Sequence, residues 1–76
     1  MEYQYLDKAH YYEELALGCE DTAIWYKAKA SAVTRNPNLK NDYEEKANEA
    51  LRQAKEYRRN AKDAKELFEY YRRHNG

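Results

Sequence analysis

The chain has 76 residues, with 14 Lys+Arg against 14 Asp+Glu, 42% hydrophobic residues, two Gly, one Pro and one Cys. That is one small domain whose Gly and Pro are too scarce for the turns of an all-β fold or for a flexible linker, which leaves helix. Leu, Ile, Val and Phe number only nine, but nine Tyr, eleven Ala and a Trp at zero net charge supply other packing surface, so the chain is read as folded with little core to spare.

The first third is acidic. Residues 1 to 26 carry Glu2, Asp7, Glu13, Glu14, Glu20 and Asp21 against Lys8, net −5, which leaves net +5 for residues 27 to 76. No charged, apolar, small-residue leader opens the sequence, and the single Cys19 cannot form an intramolecular disulfide. A cytoplasmic location is therefore the expectation. No apolar stretch approaches the ~20 residues that span a bilayer, and no membrane partner is expected.

Within the first helix, expected at about 3–35, Tyr5, Ala9, Tyr12, Ala16, Cys19, Ala23, Tyr26, Ala30 and Val33 succeed one another at 4,3 spacing without exception, a heptad seam. Gly18 offers an alternative, a three-helix bundle broken there with Asp21 or Thr22 starting a new helix. Against it, the seam keeps its phase through Ala16, Cys19 and Ala23, where a loop would scramble it. The polar side of this helix is unexpectedly apolar. Tyr3, His10, Leu17 and Ile24 form one row, and Tyr11, Gly18 and Trp25 another beside it.

A turn is expected at about 36–38, where Pro37 forbids continuation of the first helix and disfavours helical geometry at Asn36. Asn38 or Asn41 can cap the next helix, and Asn41 has Glu44 at capping-box spacing. The second helix, expected at about 39–74, repeats the seam at Tyr43, Ala47, Ala50, Ala54, Tyr57, Ala61, Ala64, Phe68 and Tyr71. Ala at every seventh position in both rods lets the backbones approach near the ~8 Å lower limit of helix packing. Folding at the turn pairs residues whose numbers sum to about 73: Ala30 with Tyr43, Tyr26 with Ala47, Ala23 with Ala50, Cys19 with Ala54, Ala16 with Tyr57 and Tyr12 with Ala61. Large meets small in most layers. A register slipped by one turn, with sums near 80, also gives apolar layers.

The fold expected is thus all-α, a two-helix antiparallel coiled-coil hairpin over residues 1–76 that dimerises into a four-helix bundle. Catalytic, cofactor and metal signatures are missing: there is no Gly-rich phosphate loop, nucleophile elbow, paired-Cys site or His-Glu-x-x-His helix. His10 has Asp7 and Glu14 at helical spacing, but a helix this acidic puts carboxylates near any His, and a solvated face is the reading preferred. Cys19 falls in the seam, where a small apolar side chain suffices.

No enzymatic activity and no cofactor are expected. The functional reading is a small protein-binding module of regulator or inhibitor type, docking a macromolecular partner or a second copy through Tyr11, Leu17, Gly18, Ile24 and Trp25. The alternative is nucleic-acid binding by Arg52, Lys55, Arg58, Arg59 and Lys62, a basic stripe interleaved with Glu56, Asp63, Glu66 and Glu69 as on a salt-bridged solvent face. The stretch Asp21 to Asn38, with Trp25-Tyr26 and Ala32 five residues before Pro37, resembles the second helix of a tetratricopeptide repeat. No second repeat accompanies it and the remaining signature positions differ, so the resemblance implies neither fold nor partner. Short charged hairpins without catalytic residues are common among small regulators carried by phages and mobile elements, an association of size and style only.

Overall fold

The computed structural model describes residues 3–75 and consists of two helices, α1 (Tyr3–Ala32) and α2 (Pro37–Asn75), packed against each other as a hairpin. No strand occurs among the described residues. α1 runs unbroken through Gly18, which rules out the three-helix alternative; Thr22 Oγ1 donates to the Gly18 carbonyl at 2.9 Å, a side-chain bond that leaves the helix continuous. A Cβ built at Gly18 would meet nothing within 4 Å, so no contact within the chain requires glycine there.

The turn differs from the expectation. α1 ends at Ala32, three residues early, and α2 begins at Pro37, two residues early. The cap is Asn36, neither Asn38 nor Asn41: its Oδ1 accepts from the Leu39 backbone N–H at 3.1 Å, while its carbonyl accepts from Lys40 N–H at 3.0 Å. Proline is well suited to the first helical position, where the absent N–H would have no partner and φ is already helical. Asn41 and Glu44 consequently lie inside the helix, where no capping box can form. At the other side of the turn, Val33 N–H closes on the Ala30 carbonyl at 3.2 Å.

The core is made of alanine. Ala9, Ala16, Ala23 and Ala30 of α1 and Ala47, Ala54, Ala61 and Ala64 of α2 are buried, all at 5% exposure or less, and among the described residues no larger side chain is fully buried. Around them the seam tyrosines Tyr5, Tyr12, Tyr26, Tyr43 and Tyr57 are half-buried. The contacts that cross the seam fix the register. Tyr26 with Lys46, Cys19 with Gln53, Tyr3 with Phe68, Tyr12 with Tyr57, Tyr26 with Tyr43, Tyr5 with Tyr71, Glu20 with Arg58 and Glu13 with Lys65 have sums from 69 to 78 that centre on 73, so the one-turn slip is not adopted.

One detail of the layers departs from large-meets-small. Tyrosine rings meet across the seam, Tyr12 with Tyr57 at 6.2 Å, Tyr26 with Tyr43 at 6.1 Å and Tyr5 stacked on Tyr71 at 5.3 Å between centroids. With alanine holding the backbones close, rings in adjacent layers reach each other, and such pairs add roughly 0.5–1.5 kcal/mol beyond the area they bury.

Candidate functional site

Helical geometry turns about 100° per residue, and this decides how the outer face of α1 is built. The row Tyr3, His10, Leu17, Ile24 and the row Tyr11, Gly18, Trp25 are not adjacent, as the heptad had suggested. They stand about 100° apart, with Asp7, Glu14 and Asp21 between them along the line farthest from α2. The face is therefore an acidic crest with two apolar shoulders. The signal was present in the sequence, since the third outward heptad position holds these three acids in successive heptads.

Both shoulders are open. Ile24 is 66% exposed, Tyr3 65%, Tyr11 59%, Leu17 55% and Trp25 54%. Scattered exposed apolar residues are ordinary, but five on the outer face of one 30-residue helix form a surface that needs an explanation. Trp25 has two neighbours on its own helix: the Tyr26 ring packs edge-on at 5.0 Å and Lys29 Nζ lies 5.1 Å from its ring centroid. Tyr11 is likewise backed by Tyr12 at 5.8 Å. Aromatic rings presented outward have few rotatable bonds and offer a partner a large apolar area at small cost in side-chain entropy.

The carboxylate nearest His10 is Glu13, at 4.0 Å from Nδ1, instead of Asp7 or Glu14. Among the described residues no three His, Cys, Asp or Glu side chains converge where a metal ion could sit. Cys19 is half-buried at the seam edge with Sγ 3.9 Å from Gln53 Oε1.

The candidate stripe on α2 has a different fate. Arg52, Lys55, Arg58, Arg59 and Lys62 are all exposed, but Arg58 is bound to Glu20 across the seam, and its neighbour Lys65 to Glu13. The hydrogen bond from Lys65, aided by the charge of that ammonium, holds the Glu13 carboxyl below its ordinary value. The intrahelical pairs expected at Arg52/Glu56, Arg59/Asp63, Lys62/Glu66 and Glu69/Arg73 are not formed within 4.0 Å. Cross-helix pairing thus draws Arg58 of the stripe and its neighbour Lys65 into holding the hairpin, a use that sequence spacing alone could not reveal because it depends on the register.

No helix among the described residues is long and apolar enough to cross a membrane. No family model, curated protein or solved structure matches the chain.

Proposed function

We propose that the hairpin is a non-enzymatic protein-binding module, of regulator or inhibitor type, which docks a macromolecular partner through the outer face of α1. The observation that carries this reading is the pairing of exposed apolar shoulders, Leu17 and Ile24 on one side and Tyr11 and Trp25 on the other, with the crest of Asp7, Glu14 and Asp21. A partner complementary to that shape is a groove with apolar walls and a cationic floor. Burying the crest against anything uncharged would strand carboxylates without counter-charges. Gly18, with open space where its side chain would be, gives the partner's backbone a point of close approach.

Nucleic-acid binding by α2 is the second reading, favoured by the shared exposure of Arg52, Lys55, Arg59 and Lys62 on one face. Salt separates the two. Phosphate contacts by several cations weaken by orders of magnitude between about 50 and 200 mM salt, whereas apolar docking around Trp25 and Ile24 survives that change. The bound material captured by the tagged chain, monitored as salt rises, is expected to be protein that is still held at about 200 mM. Nucleic acid released by the same step would favour α2 instead.

A further inference from the structure

Seven residues separate Tyr11 from Gly18 and Gly18 from Trp25, so the three stand nearly in line on α1, each ring about 10 Å along the rod from the glycine. They form a saddle. Tyr11 is 59% and Trp25 54% exposed, and a Cβ at Gly18 would meet nothing within 4 Å, so bare backbone lies between two open rings. The Gly18 carbonyl is already taken by Thr22 Oγ1 at 2.9 Å. An α-helix with its side chains is about 10–12 Å across, so one helix fits between rings whose backbones stand about 21 Å apart.

The charges around the saddle state what kind of helix it takes. Glu14 and Asp21 border it on the crest, and Glu56 borders it on α2, one turn beyond the Gln53 that meets Cys19. Among the described residues none of these three has a cation within 4.0 Å, whereas Glu13 and Glu20 on the opposite flank are answered by Lys65 and Arg58. The side chains between the two acidic borders, Leu15, Thr22, Gln53 and Asn60, are uncharged. Lys8, Lys29 and Lys46 share this side of the rod but lie toward its ends. Lys8 and Lys29 are about 15 Å along the axis from Gly18, and Lys46 sits by the Tyr26 ring, about 12 Å away.

We propose that a cationic helix of the partner crosses α1 at Gly18, seated between Tyr11 and Trp25 with its Lys or Arg side chains on Glu14, Asp21 and Glu56. This rests on docking through α1 and names what docks. Crossing follows from the map of charges, because a cationic helix laid along α1 would run onto Lys8 and Lys29, while one that crosses meets only the acids. The missing side chain at Gly18 lets the two backbones approach near the ~8 Å lower limit of helix packing. Tyr11 and Trp25 then close on the sides of the seated helix and supply the apolar contact, Trp and Tyr being the side chains that most often anchor an interface. An acidic helix in the same seat would be repelled by all three carboxylates.

Trp25 is the chain's single tryptophan, so its emission reports whether the saddle is filled. Titrating the full chain with a tryptophan-free amphipathic helical peptide of Leu and Lys is expected to move that emission to shorter wavelength and to saturate, while the Leu/Glu counterpart does neither. Gly18→Leu fills the saddle without touching the seam, and should weaken the Leu/Lys peptide about tenfold with no loss of melting temperature. Asp21→Lys should weaken it too, whereas Glu66→Lys, the same charge change on the far face of α2, should leave the affinity nearly unchanged. Equal binding of the two peptides, Gly18→Leu binding as wild type does, or an emission that neither peptide moves would each overturn the crossing helix. The docking reading fails on a different result, retention of the natural partner by Ile24→Glu.

Discussion

Asn36 and Glu13 show how single side chains fix the hairpin. The Asn36 cap satisfies Leu39 N–H at the start of α2, so Asn36→Ala is expected to cost about 0.5–2 kcal/mol, and Asn38→Ala far less, in paired chemical denaturations. By sequence Asn38 and Asn41 are the caps expected, and Asn36 is passed over; the missed clue is Pro37, whose preference for the first helical position makes the preceding residue the cap. Glu13 supplies a pH dependence. Its pKa in the folded chain is lowered by Lys65, so the pair contributes stability above the ordinary carboxyl value of 4.5 and loses it as pH falls through the lower folded value. Wild type should therefore lose Tm more steeply on acidification below that point than Lys65→Met, in which the largest cause of the shift is removed. Superimposable Tm profiles in acid would show that the pair contributes nothing to stability.

At the scale of the helices, the alanine seam was legible because it repeats without exception and has a period only a helix can use. What escaped was the pairing of charges, since intrahelical and cross-helix partners are chemically equivalent in sequence and only the register selects between them. The split of the outer face by the acidic crest escaped because heptad rows that are neighbours in lettering are not neighbours around the cylinder. Two variants test the seam. Ala23 is buried and Ala28 exposed, so Ala23→Leu should cost on the order of 1 to 3 kcal/mol by forcing the helices apart, and Ala28→Leu almost nothing. Equal melting temperatures would contradict the close approach. Gly18→Ala, entering open space in mid-helix, should stabilise the chain by about 0.5–1 kcal/mol in thermal melts while weakening partner capture.

As a whole the molecule is a rod, 62 × 12 × 11 Å with a radius of gyration of 17.4 Å, where a compact chain of this length would have about 11 Å. Such a shape trades core for surface, and on α1 that surface is patterned: acid along the crest, Leu17, Ile24, Tyr11 and Trp25 on the shoulders. The docking reading rests on that pattern, and Ile24 is the residue that isolates it, being 66% exposed and remote from the alanine seam. The most direct measurement is quantitative capture of the partner from an extract of the source organism by wild type, Ile24→Glu and Arg59→Glu chains, with melting temperatures and masses recorded alongside. Docking through α1 predicts that Ile24→Glu loses the partner while keeping its mass and its melting temperature, and that Arg59→Glu retains all three. Retention by Ile24→Glu with loss by Arg59→Glu would contradict it and move the functional surface to α2.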